Sequence, residues 1–133
     1  MQKISFFFVV MIMLALVVSC SETKTEDEYF TLANEHYGQE AYADAIENFK
    51  IIIEKYPEGK TTAKATFMIG FINANSLENL EEAEKYYTLF VEKYPDHDLA
   101  DDAKYELNTL GKDINELPIF KDIQSGEQAS SEK

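Results

Sequence analysis

Few side chains in this chain are suited to covalent chemistry, because its 133 residues include one cysteine and two histidines. Cys20 ends the segment Val17-Val18-Ser19-Cys20, directly after an apolar run, where its thiol could be acylated. His36 and the triplet Asp96-His97-Asp98 could each suggest a metal ligand or a general base. These three places are therefore the ones to weigh first for chemistry.

Neither histidine belongs to a recognisable ligand set. His36 has no second ligand at helical spacing, so we expect it to pack between helices. Asp96-His97-Asp98 lacks the glycine and the final glutamate of a calcium loop, and we interpret it as an acidic helix N-cap. Because phosphate-binding glycine loops, Ser/His/Asp sets and paired carboxylates are also missing from the sequence, we predict no enzymatic activity, no metal and no cofactor.

Residues 1–19 have the features of a signal peptide. Lys3 provides a positive start, and Phe6 to Val18 is apolar but too short to span a membrane comfortably. The segment ending at Cys20 resembles the lipobox that lipoprotein signal peptidase reads, which implies palmitate and related acyl chains on Cys20. An ordinary secretory signal, or a short membrane anchor with Cys20 incidental, is the alternative. Residues 20–27 are polar and charged, and we interpret them as a lipidated flexible tether.

The charge of the chain restricts its partners. The formal net charge is −13, and removal of residues 1–19 with Lys3 gives −13 − 1 = −14. A nucleic-acid partner is excluded, because binding to phosphates requires clustered cations and this chain contains no arginine. Anionic lipid headgroups would also be repelled, so attachment to a membrane must come from the N-terminal lipid.

The chain contains an internal repeat. Ala45 to Pro57 returns as Ala83 to Pro95 at an offset of 83 − 45 = 38 residues, and both copies end in Glu-Lys-Tyr-Pro. A period of this length is typical of helical repeat proteins. The spacing Ala-x3-aromatic places two packing residues on one helix face, and the proline stops the helix.

Residues upstream of each copy identify the repeat. The first copy contains Tyr29-x2-Leu32-Ala33-x2-His36, then Tyr42, Ala45, Phe49 and Pro57; the second keeps Ile69-Gly70, Ala83, Tyr87 and Pro95. This pattern resembles the tetratricopeptide repeat, with one extra residue in the Asn75–Asn79 turn. The spacing Tyr-Pro-x4-Ala-x2-Ala after Tyr94 is similar to a subfamily of bacterial envelope lipoproteins. That subfamily includes the lipoprotein of the β-barrel assembly machinery and the periplasmic coordinator of the Tol system.

The resemblance implies an all-α fold, a short helical solenoid of two helix-turn-helix repeats followed by a C-terminal capping helix. We place this domain at residues 28–117 and a C-terminal tail at 118–133. The expected helices are Tyr29–Tyr37, Tyr42–Tyr56, Ala63–Asn75, Glu78–Tyr94 and Leu99–Asn115. Ala63–Asn75 is apolar almost all round, which predicts neighbours on both flanks. The apolar segment 117–120 could fold back over the cap or dock a partner.

In tetratricopeptide folds the first helix of each repeat lines the concave face. The resemblance places six residues of this chain there as partner-binding candidates: Phe30, Asn34, Tyr37, Phe67, Phe71 and Tyr105. Phe30, Phe67 and Tyr105 occupy the same position in successive repeats and could form an aromatic stripe that anchors a peptide or helix. Equally, these rings could be half-buried only for stability. A clamp for a C-terminal carboxylate is not implied, because only Asn34 and Lys64 suit it.

These observations predict a lipid-anchored adaptor that binds a protein or peptide at the bacterial cell envelope. We expect it at the outer membrane, on the periplasmic face, with the cell surface as the alternative. A role in outer-membrane assembly or envelope maintenance follows from the resemblance. Two other functions stay open: a structural lipoprotein that self-associates through its terminal helix, and a binder of peptidoglycan or another glycan.

Overall fold

A computed structural model describes residues 23–112, which form five α-helices and no strand. The helices are α1 (Glu26–Gly38), α2 (Tyr42–Lys55), α3 (Thr62–Asn75), α4 (Leu80–Lys93) and α5 (Ala100–Thr109). Each helix packs against the next one along the chain. The predicted all-α class, with two helix pairs and a terminal helix, is confirmed. The predicted signal peptide, Cys20, the end of the predicted fifth helix, segment 117–120 and the predicted tail lie outside the described residues.

Helix α3 is the central element of the stack. Its Ala65, Ile69 and Ile72 are fully buried in a core shared with α1 and α2, whereas Ala63 belongs to a second core shared with α4 and α5. Contacts with both α2 and α4 confirm that this helix is flanked on two sides. A helix without a polar face is stable only in such a position, because every side would otherwise expose apolar surface.

Helix α4 approaches α3 closely at Gly70. A Cβ atom at this position would lie 2.9 Å from Cδ1 of Tyr87, whose ring is completely buried. The ring of Phe67, one turn earlier on α3, meets the same tyrosine edge-on at 5.5 Å between ring centres. The missing side chain at Gly70 therefore makes room for the largest buried side chain of the fold.

The N-terminal end of α1 is bound to the turn between α2 and α3. Oε1 of Glu26 accepts a hydrogen bond from the backbone N–H of Thr61 at 2.6 Å, and Lys60 pairs with Asp27 at 2.8 Å. The hydroxyl of Tyr56 donates to the carbonyl oxygen of Lys24 at 2.7 Å. These contacts connect the first repeat to the start of the second.

Helix α1 begins three residues earlier than the sequence pattern predicts. Thr25 and Glu28 form a capping box, in which the hydroxyl of Thr25 accepts from the N–H of Glu28 and the Glu28 carboxylate accepts from the N–H of Thr25. The last two residues of the predicted tether, Glu26 and Asp27, consequently lie inside the helix. A polar segment can form either a flexible tether or the first turn of a helix. Here the capping box of Thr25 and Glu28 stabilises the first turn of a helix.

The assignment of Asp96-His97-Asp98 as an N-cap is wrong. The N-cap of α5 is Leu99, which has no side-chain capping bond. Instead, Nδ1 of His97 accepts the N–H of Leu99 at 3.1 Å, and the His97 ring stands edge-on to Phe90 at 5.4 Å. His97 therefore stabilises the turn before α5 through this hydrogen bond. The negative charges of Asp101 and Asp102 in the first turn of α5 interact favourably with the helix dipole.

Helix α5 is shorter than predicted. It ends at Thr109, since Leu110 is extended with ψ 123° and Gly111 has a left-handed φ of 70°. The apolar periodicity continues past this point in the sequence, but a glycine at a positive φ is a strong helix terminator.

The close approach at Gly70 predicts opposite outcomes for two Gly→Ala changes. Gly38→Ala should stabilise the protein by up to about 1 kcal/mol, because nothing lies within 4 Å of its new Cβ and alanine favours a helix. Gly70→Ala gains the same propensity but forces the Tyr87 ring to move, at about 1–3 kcal/mol. We expect a lower melting temperature for Gly70→Ala than for Gly38→Ala; equal values would contradict the packing.

The contact between Glu26 and Thr61 predicts part of the acid sensitivity. Burial raises the pKa of the Glu26 carboxyl, but hydrogen bonds from the side chain and backbone of Thr61 and the backbone of Lys60 outweigh it and lower this pKa. A carboxyl with a lowered pKa in the folded state stabilises above its unfolded pKa of about 4.3 and loses that contribution as pH falls through the folded pKa.

Glu26→Gln should therefore lower the melting temperature at pH 7, and its difference from wild type should shrink as the pH falls below about 4. Thermal unfolding followed by circular dichroism across this range measures the effect. Glu47→Gln removes an exposed carboxylate from α2 and is the matched control. A difference that does not change with pH would show that the Glu26 charge is unimportant.

Candidate functional site

The six candidate residues lie on the first helix of each pair, and we call the surface that they form the A-helix face. Phe30, Asn34 and Tyr37 are on α1, Phe67 and Phe71 on α3, and Tyr105 on α5. Asn34 and Tyr105 are exposed, whereas the other four are half-buried. The face therefore combines packing residues with residues open to solvent.

Three rings form a continuous row across α1 and α3. The centre of the Phe71 ring lies 6.5 Å from that of Tyr37 and 6.5 Å from that of Phe67. Tyr37 also contacts Tyr42 of α2 at 5.9 Å, which fixes the outer end of the row. Because each ring is only half-buried, the row presents an apolar strip that a partner side chain could cover.

Phe30 and Phe67 also belong to the two cores. Phe30 stands edge-on to the fully buried Phe49 at 5.7 Å. Phe67 meets Tyr87 at 5.5 Å and Phe90 at 5.7 Å, so it seals the contact between α3 and α4. Both rings thus stabilise the fold, and any contact that they make with a partner is additional.

Tyr105 differs from the other rings of the face. Its side chain is 58% exposed, and it makes none of the ring contacts found within residues 23–112. Tyr105 lies two positions after the fully buried Ala103, so it points away from the side of α5 that packs on α4. Phe30, Phe67 and Tyr105 make no ring contact with one another; the ring contacts on the A-helix face join Tyr37, Phe71 and Phe67. Whether the three residues form a binding stripe stays a prediction.

Asn34 is partly committed within its own helix. Its Nδ2 donates to the carbonyl oxygen of Phe30 at 2.6 Å, which leaves the side-chain oxygen for a partner. His36 lies between α1 and α2, where its Nδ1 is 3.5 Å from Nδ2 of the buried Asn48. Residues 23–112 contain no cluster of three potential metal ligands around either histidine or elsewhere.

One acidic group was not found from the sequence. Glu106 on α5 is half-buried, and burial raises the pKa of its carboxyl, with the charge of Asp102 raising it further. The hydroxyl of Tyr87 is buried without a hydrogen-bond partner among the described residues. Burial also raises the pKa of Tyr87, and the negative charge of Glu106 adds to this rise. Glu106 on α5 is therefore a partly desolvated carboxyl whose charge acts on the buried phenol of Tyr87 on α4.

Comparison with protein families connects this architecture to known proteins. The family model YfiO, described as outer membrane lipoprotein, matches residues 22–132. The chain belongs to the YfiO family. Comparisons with curated proteins and with solved structures found no match. Family membership supports the lipoprotein character and the outer-membrane location, and the helical repeats agree with the tetratricopeptide resemblance.

The helices of this YfiO-family chain can also be compared with the length that a membrane-spanning helix requires. No helix within residues 23–112 has the length and apolar character to cross a bilayer.

The two kinds of ring on the A-helix face predict different costs of truncation. Phe67→Ala should destabilise the protein by about 3–5 kcal/mol, because it opens a cavity between α3 and α4. Tyr105→Ala should change the free energy of unfolding by less than about 0.5 kcal/mol, as expected for a surface change. Urea unfolding of both variants measures the difference. A large loss of stability in Tyr105→Ala would place this ring in the core.

Proposed function

We propose that this protein is a lipid-anchored adaptor that binds another protein through its A-helix face at the outer membrane and catalyses no reaction. The observation that supports it most is the row of half-buried rings on α1 and α3 beside the exposed Tyr105. Aromatic side chains give large contact areas at low entropic cost and are enriched among interface hot spots. Asn34 adds a polar acceptor next to the row.

The anchor of this adaptor would be Cys20, acylated after removal of residues 1–19. Lys24, whose carbonyl oxygen accepts a hydrogen bond from the hydroxyl of Tyr56, is the fourth residue after Cys20. An extended chain covers at most about 3.6 Å per residue, so the edge with the α2–α3 turn stays within about 15 Å of the lipid. This tether is shorter than the one that we predicted at residues 20–27. We propose the periplasmic face of the membrane for the domain.

The proposal of a non-catalytic role rests on the kind of cavities that the domain offers. Three clefts found within residues 23–112 are open to solvent, including the one between Glu81 and Glu92 on α4. Enzyme sites usually enclose their substrate in a deeper pocket with a few converging polar groups. A protein partner, by contrast, can bind to a broad and shallow face.

The anchor is tested by Cys20→Ser. Wild-type protein grown with labelled palmitate should incorporate the label and be processed, whereas the serine variant should remain an unlabelled precursor, because serine cannot provide the thioether. Electrophoresis and autoradiography of the membrane fraction compare the two. Equal labelling would exclude Cys20 as the lipid attachment site.

The binding face is tested by Tyr105→Ala in the full-length protein. If Tyr105 anchors the partner, its loss should weaken binding by about 2 kcal/mol or more, a fall of roughly thirtyfold in affinity. The measurement is quantitative recovery of copurified proteins from crosslinked cells, with Glu47→Ala as the control on the exposed side of α2. Unchanged recovery with Tyr105→Ala would reject the A-helix face as the main binding surface.

A further inference from the structure

A second surface lies at the turn between α3 and α4, at the other end of α3 from the α2–α3 turn to which the start of α1 is bound. There the turn between α3 and α4 exposes Leu77 by 45% and Leu80 by 43%. Glu78 between them has a left-handed φ of 53°, which favours glycine and is costly for glutamate. At the positions 38 residues earlier, the first repeat carries Gln39 and the half-buried Tyr42 in place of the two leucines, and Glu40 has a similar left-handed φ of 60°. The second repeat therefore exposes two leucines at a turn where the first repeat has none.

Beside this turn is a cleft of about 310 Å³. Ala74 of α3, Leu80 of α4 and Leu110 after α5 form its apolar wall, and Glu106 lines it from α5. Gly111 approaches Leu80 so closely that a Cβ there would lie 3.1 Å from a leucine methyl group. The cleft is thus bounded by three consecutive elements of the fold and has a carboxyl on one side.

The carboxyl of Glu106 has no cationic partner among residues 23–112, where no ammonium group lies within 4.0 Å of it. Lys112 lines the same cleft without pairing with it. Asp102, one turn earlier on α5, is the acidic neighbour whose charge acts on Glu106 and raises its pKa. A half-buried carboxylate with an acidic neighbour is stabilised by an incoming cation, and the buried hydroxyl of Tyr87 lies near enough to respond to its charge.

We infer that Leu77, Leu80, Leu110 and Glu106, here called the distal patch, bind a protein segment in which apolar side chains are followed by lysine or arginine. The apolar side chains cover the leucines and enter the cleft, and the cationic group pairs with Glu106. The net charge of −13 favours such a basic segment over an acidic one. The inference rests on the proposed adaptor role and gives it a second contact, one helix length along α3 from the α2–α3 turn.

The test uses the chain from Ser21 to Lys133, which retains every residue of the two cores described above and removes only the predicted signal peptide and Cys20. The probe is a synthetic peptide, acetyl-Ser-Leu-Leu-Arg-Ser-amide, titrated while backbone amide shifts are followed by NMR. We expect shifts at Leu77, Leu80 and Leu110. Replacement of the peptide's arginine by glutamate, or of its leucines by serine, should abolish them.

Glu106→Gln should weaken peptide binding about three- to tenfold, since a partly solvated charge-assisted contact is lost. Its melting temperature at pH 7 should not fall, because the change removes a charge whose burial is unfavourable. Glu84→Gln, which removes an exposed carboxylate from the separate cleft on α4, should bind like wild type. Reduced binding in a variant of undiminished stability would support a binding role.

Several results would overturn the inference: equal binding of the acidic peptide, shifts confined to Tyr37 and Phe71, or unchanged affinity in Glu106→Gln. Binding that occurs only after residues 113–133 are removed would also overturn it, by showing that the chain's own segment covers the patch. The titration does not require the cellular partner. A failure here therefore leaves the A-helix face untouched, and a failure of Tyr105→Ala to reduce recovery leaves the distal patch untouched.

Discussion

The packing of α3 between α2 and α4 is the constraint on which the rest of the structure depends. It requires a glycine at position 70, because the buried ring of Tyr87 occupies the space where a side chain would be. A helix that is apolar on both flanks needs a partner on each, and α2 and α4 are these partners. Helix α4 is covered in turn by Ala100 and Ala103 of α5, which ends the described stack.

Some side chains contribute both to the stability of the fold and to the proposed binding surface. Phe67 and Phe71 contribute to the surface with rings that also fill the space between helices, and a partner would therefore bind a rigid, preformed strip. A mutation of Phe67 or Phe71 would change both the stability and the surface, so a loss of binding could not be assigned to either cause. Tyr105 and Glu106 on α5 are the positions where the two can be separated, because one is exposed and the other is half-buried at an energetic cost.

The sequence predicted the helices and their order well, since the 38-residue offset and the Tyr-Pro stops are local signals. It was less accurate where a boundary depends on a contact. Glu26 and Asp27 lie in α1 because Thr25 caps it, and the turn before α5 is built around His97 rather than around an acidic cap. Glu106 was not found because the periodicity of α5 alone places it off the buried stripe, whereas in the structure it is half-buried and lines a cleft with Ala74 of α3 and Leu80 of α4.

The central claim, that this YfiO-family lipoprotein holds a protein partner against one side of its helical repeats, is tested most directly by a crosslinking scan in living cells. A photoreactive amino acid is placed in the full-length protein at Asn34, Tyr105 and Leu77, and on the other side at Glu47 and Glu84. The account predicts that the photoreactive residues at Asn34 and Tyr105 capture one common protein, whereas those at Glu47 and Glu84 do not capture it. Capture of the same protein with equal efficiency from all five positions, or only from Glu47 and Glu84, would contradict it.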